Sequence, residues 1–186
     1  MDILAAFGLS ASAGLNAYIP LLVVSILARF TDVIQLSEPW NAMESWWIIG
    51  TLFVLSIVEF FADKTPAVNH INDAIQTFIR PTAGAVLFAA SANVITEIHP
   101  ILSLAAGLLV AGSVHVVKSA AVRPAITATT AGLGDVPVSI LEDVISTVLS
   151  VLSVLLPIVV GIVLVLMGIW IILWLSRRSK RYERPG

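Results

Sequence analysis

Cysteine is absent from the 186 residues, which excludes disulfides and thiolate metal sites and leaves the redox compartment unread. Charge is scarce as well, since 12% of residues are Asp, Glu, Lys or Arg where a soluble domain carries roughly 25%. Enzyme signatures are also missing. His70, His99 and His115 show no H-E-x-x-H spacing, and the chain has no G-x-S-x-G and no Walker-type loop. What the chain has instead is apolar length, with 58% hydrophobic residues and a mean hydropathy of +0.99. Such a chain must be solvated by lipid, and its apolar runs approach the roughly 20 residues of a spanning helix. The composition predicts an all-α, polytopic membrane bundle of about six transmembrane helices.

One transmembrane domain is expected over 1–176, followed by a basic tail over 177–186 that holds five of the ten basic residues. That tail argues for the cytosolic face and for anionic lipid rather than nucleic acid as its partner. Ala11-Ser12-Ala13 imitates a signal-peptide cleavage site, but Asp2 stands where a basic segment should be, so the stretch reads as a mature first helix.

Ile3 to Ala28 reads as the first span, with Ala6, Ser10 and Gly14 forming a small-residue stripe for close helix approach. Gly14, Asn16 and Pro20 each weaken a helix, so a break is expected there. Trp46 and Trp47 mark an interfacial belt that opens a second span ending near Asp63. Thr65-Pro66 then caps and starts a short helix over 66–79, which should end before Pro81. Val68, Ile71, Ile75 and Phe78 line its apolar face, and Asn69, Asp73, Gln76 and Arg80 the opposite one. At roughly 21 Å it is too short to span and is expected to be interfacial or re-entrant. Residues 82–98 and 101–118 read as the third and fourth spans, joined by a turn at Glu97, His99 and Pro100. In the fourth, Ser103, Gly107, Ala111 and His115 recur every four residues on the face that should meet another helix.

Thr130-Ala131-Gly132-Leu133 repeats the pattern of Ser12-Ala13-Gly14-Leu15, a weak internal repeat in which the first two spans correspond to the last two. The fifth span has two registers. If it starts near Val138, Glu142 and Asp143 lie at the interface; if it starts near Arg123, Asp135, Glu142 and Asp143 are carried inward on a helix broken around 132–137, the expected register. Lys64, Arg80, Lys118 and Arg123 fall on the side of the basic tail and Arg29 alone on the other, which predicts both termini in the cytosol.

Several residues stand where polar groups are costly, and these are the candidate site. Glu59 and Asp63, four apart on one helix face beside Lys64, suit proton exchange or cation binding; the structural alternative is that they snorkel to water. His70, Asp73 and Arg80 would add charge beside them, against the alternative of a solvated helix face. Asn16 and Asp135, each next to a matched glycine, could present oxygens at two facing helix breaks. Glu142, Asp143 and His115 complete the set. Ser139, Asp143, Ser146, Ser150 and Ser153 form a stripe that either lines a wet path or serves close packing. No cofactor is expected, and metal is left open.

GLSASAGLNAYIPLL, VEFFADKTPAVNHINDAIQTFIRPTAG and TATTAGLGDVPVSILEDV together resemble the bacterial integral-membrane family catalogued as domain of unknown function 4126. The resemblance implies a polytopic protein of the bacterial inner membrane and brings no established activity. The pattern has an acid where this chain has Asn69, and an Asn-Pro pair near Asp135-Val136-Pro137. The expected function is a transporter or channel for a small solute or ion. The alternatives are a non-catalytic scaffold or assembly factor, and then a membrane-embedded enzyme. Lipid is the expected partner, with a homo-oligomer allowed.

Overall fold

Gly14, Asn16 and Pro20 divide the first apolar stretch into two helices, α1 (Ile3–Leu15) and α2 (Tyr18–Phe30). The computed structural model describes the backbone of residues 3–92 and 99–182 and, apart from 66–70, 92, 171 and 174–182, their side chains. The expectations for Glu97 and the side chains of His70 and the basic tail therefore lie outside the described residues. Asn16 makes the break: its side-chain Oδ1 accepts from the N–H groups of Tyr18 and Ile19 at 3.1 and 3.0 Å, supplying the cap that α2 needs.

The two halves do not continue in line. Along α1, Phe7 stacks edge-on against Phe88, Ser12 bonds Ser146 and Ser150, and Asn16 reaches Asp143. Along α2, Leu21 lies in the same crevice as Ile79 and Val86, and Arg29 ends over the Trp46 ring. The chain thus doubles back at Asn16–Ala17 as a helical hairpin, so that Ile3 and Phe30 both lie far from its tip.

Ser45 accepts from the Ile48 N–H at 3.4 Å and starts α3 (Trp46–Lys64), which runs antiparallel to α2. α4 (Pro66–Ala92) corrects the expected short helix, because it passes through Pro81 without stopping. Proline removes one N–H and normally ends or kinks a helix. Here burial of Ala83, Ala85, Leu87, Phe88, Ala89 and Ala90 against neighbours holds the helix together. Tertiary packing has overridden a local stop signal.

α5 (Pro100–Val117) continues through a π-helical segment, Lys118–Val122, into α6 (Arg123–Thr130). Arg123 therefore does not open a new span, as expected, but prolongs the fourth. The reversal comes at 131–134, where Ala131 (φ 51°) and Gly132 (φ 85°) adopt the left-handed conformation. α7 (Asp135–Leu155) returns, and α8 (Pro157–Tyr182) follows a break at Leu156. The two sequence-matched [ST]-A-G-L stretches both fall at the end of one helix of a turned pair.

Packing is inside out relative to a water-soluble bundle. On α4, Ile71 and Phe78 are 63% and 77% exposed, while Gln76 and Arg80 on the opposite face are 2% and 0% exposed. On α7, Ser139, Glu142, Ser146, Ser150 and Ser153 are buried while Leu141, Val144 and Val148 face out. The architecture is an all-α bundle, with no strand among the described residues. Trp46–Lys64, Pro100–Thr130 and Asp135–Leu155 are long and apolar enough to cross a membrane, and Ile3–Leu15, Tyr18–Phe30 and Pro157–Trp170 are shorter apolar helices.

Candidate functional site

Five elements deliver charged side chains to one end of the bundle, around the tip of the α1–α2 hairpin. α3 contributes Glu59, Asp63 and Lys64 from its last turns; α4 contributes Asp73 and Arg80; the π segment and the start of α6 contribute Lys118 and Arg123; and α7 contributes Glu142 and Asp143. The π turn admits an extra residue into its helix, a distortion found often at functional sites. Here it lies between two cations that both point inward.

Arg80 is central. Its Nη2 donates to Glu59 Oε1 at 3.0 Å and lies 3.6 Å from Asp63 Oδ2, and its Nη1 approaches His115 Nδ1 at 3.2 Å. Because a guanidinium can only donate, His115 Nδ1 must accept, which assigns the ring proton to Nε2 and makes the ring neutral. Thr77 completes this relay, since its hydroxyl donates to Asp73 O at 2.8 Å and lies 3.1 Å from His115 Nε2.

Asp63 is fully partnered. Asn72 donates to its Oδ1 at 2.6 Å and Arg123 to its Oδ2 at 2.8 Å, with Lys118 Nζ at 3.8 Å. Arg123 also reaches Glu142 and both oxygens of Asp73. Lys118 bonds Glu142 at 2.9 Å and donates to the Leu15 carbonyl at 2.8 Å. A cation on the last carbonyls of α1 complements the negative end of that helix. The hairpin tip is thus fixed by Lys118 on one side and by Asn16 on the other, whose Nδ2 donates to Asp143 Oδ1 at 3.0 Å. Lys64 closes the outer edge, 2.8 Å from Asp143 and over the Phe60 ring.

Not every buried group is matched. Glu59 Oε2, Gln76 Oε1 and Arg80 Nε have no hydrogen-bond partner among the described residues, although all three side chains are buried. An apolar groove of about 360 Å³ between α2, α3 and α7 ends at Asn16 and Asp143 and is walled by Leu22, Phe53 and Phe60.

The structure brings together Asn16, Glu59, Asp63, Lys64, Asp73, Arg80, His115, Glu142 and Asp143. It leaves Asp135 out: that residue bonds the Thr127 hydroxyl at 2.8 Å beside the 131–134 turn. Asp135 lies eight positions before Asp143 on α7, roughly 12 Å along the helix. The expected pairing of two facing breaks is therefore replaced by one break, at Asn16, facing the side of α7. The reading of Arg80 as part of a solvated face also fails, because that face points inward. Sequence reasoning left Lys118, Arg123, Asn72 and Gln76 off the site. The inward position of the two cations depends on the π turn, which has no recognised sequence signal. The serine stripe is covered, since Ser146 and Ser150 bond Ser12 of α1.

Small residues that could have formed an external docking stripe are occupied internally. A Cβ on Gly14 would lie 2.6 Å from Ala111 O, and one on Gly107 would strike Gly84 O. No His, Cys, Asp and Glu grouping suited to a metal occurs among the described residues. A family model described only as a domain of unknown function matches residues 3–178. No curated protein and no solved structure matches.

Proposed function

The chain belongs to the family of domain of unknown function 4126, a membership that brings no activity with it, and from its buried charges we propose a membrane transporter or channel for a small solute or ion. One observation carries the reading: nine charged side chains are drawn from five elements to the tip of a helical hairpin. Ionisable groups inside a membrane bundle are costly and mark conduction or coupling paths by default. A network whose members come from separate helices also has pairs that can exchange partners, which is what a gate requires. The groove ending at Asn16 and Asp143 offers an approach to it.

The bundle is a multi-pass protein of the bacterial inner membrane in this reading, with the α1–α2 hairpin as its re-entrant element. The cationic end, with Lys64, Arg80, Lys118 and Arg123, faces the cytosol by the positive-inside bias. Because α1–α2 doubles back, Ile3 lies at the opposite end of the bundle, so the expectation of both termini in the cytosol gives way to an N-terminus on the other side.

Reconstituted vesicles test the proposal. Protein-dependent flux is expected for at least one of protons, sodium, potassium, chloride or a small neutral solute, and it should fall to the level of empty vesicles in the Glu59→Gln/Asp63→Asn double variant. Flux indistinguishable from empty vesicles for every probe, or undiminished flux in a folded double variant, would sink the reading. The former outcome is the one a scaffold predicts.

A further inference from the structure

The inner network does not balance in charge. Setting aside the Lys64–Asp143 pair, the carboxylates are Glu59, Asp63, Asp73 and Glu142, and the cations in contact with them are Arg80, Lys118 and Arg123. Four against three leaves one negative charge uncompensated among the described side chains. His115 does not supply the missing charge, because its Nδ1 accepts from Arg80. Leaving a buried carboxylate uncompensated is among the most expensive arrangements a fold can hold, and the usual escape is neutralisation.

We propose that Glu59 carries a proton and is the exchangeable proton seat of this network. The other three acids are better served. Asp63 has both oxygens bonded and three cations within 4.0 Å, Glu142 has Lys118 and Arg123, and Asp73 holds Arg123 through both oxygens with its side chain 25% exposed. Glu59 has a single partner, Arg80, on a single oxygen, and its Oε2 is buried without any. A proton on that oxygen turns a stranded acceptor into a donor. Gln76 Oε1 of the adjoining helix α4 is likewise a buried acceptor without a partner among the described residues.

The groups that face Glu59 from each neighbouring element are Tyr18 of α2, Asp63 of its own helix, Arg80 of α4 and Lys118 of the π segment. His115 of α5 acts on it through Arg80, and the acids of α7 each hold their own cation. Losing the proton frees Glu59 to take more of Arg80 from Asp63 and His115. Proton exchange at one oxygen thereby re-pairs the network, which is the coupling that the transport reading needs. That functional use rests on the transport reading, whereas the protonation itself does not.

Infrared spectroscopy of the full-length protein in lipid nanodiscs reads the proton directly. At neutral pH the wild type should show a protonated carboxyl C=O stretch that shifts in deuterated water, disappears in Glu59→Gln and persists in Asp63→Asn. Where Glu59→Gln does not fold, Glu59→Asp decides instead, through a displaced band frequency. A wild type with no protonated carboxyl band at neutral pH overturns the proposal, as does a band unmoved by both Glu59 variants. Vesicle flux tests the transport reading separately, so the two can fail independently.

Discussion

The two ends of the bundle are held by different physics. Around the hairpin tip, helices are joined by long charged side chains that bridge between backbones. Toward the other end, α1, α4 and α5 approach through Ser10, Gly84, Gly107 and Ala111, with Ser10 donating to Gly84 O at 2.9 Å. Charged bridges can exchange partners while keeping their helices in place. Backbone-to-backbone contact has a single geometry. The contrast divides the bundle into a rigid end and a re-pairable end.

Substitutions sharpen that contrast, and thermal unfolding in detergent ranks them. Arg80→Met should be the most damaging, by about 3–5 kcal/mol, because it leaves buried Asp63 and the inner network one cation short; combining it with Asp63→Asn should recover much of the loss. Recovery that fails to appear would mean that Arg80 serves Glu59 and His115 more than Asp63. At the rigid end, Gly84→Val should cost about 1–3 kcal/mol by overpacking, since even a Cβ there would strike Ala111 and come within 2.9 Å of Gly107 O. Unlike Arg80→Met, no change on a partner charge should rescue it. Asp143→Asn should cost about 1 kcal/mol, because the Lys64 pair is only partly buried. Trp47→Ala should stay within about 0.5 kcal/mol, as the ring is 87% exposed.

Cysteine labelling tests the burial of the charged end, and no native cysteine interferes. A cysteine at 135, beside the turn, should label from the adjoining aqueous phase, while one at 142 should be protected. Equal labelling at both positions would contradict the burial of Glu142.

Much of this arrangement was legible in residue types alone. Gly14, Asn16 and Pro20 announce a break because each weakens a helix by its own mechanism, and the structure has one at Asn16–Ala17. The inward set of Glu59, Asp63 and Glu142 follows from carboxylates on otherwise apolar helices. Other features were hidden because they depend on distant packing. Pro81 reads as a stop until the burial of the helix beyond it, from Ala83 to Ala90, is known. The polar face of 66–79 reads as solvated because amphipathicity does not say which face is inside, and in this bundle the apolar one is out. The hairpin was hidden for a similar reason, since a break in a long apolar stretch is equally compatible with a kink and with a reversal.

The hairpin has a consequence for the order of assembly. Its residues are synthesised before the groups that fix its tip, Lys118 and Asp143, which lie 103 and 127 positions further along the chain. Ser12 waits longer still, for Ser146 and Ser150. Closing such long loops is slow relative to forming local helices. During biogenesis Ser12 and Asn16 therefore lack these partners until α7 arrives. A ribosome-stalled chain ending before Asp135 should hold a hairpin that lacks its Asp143, Ser146 and Ser150 contacts, open to a chaperone or to extraction in a way that the full chain is not.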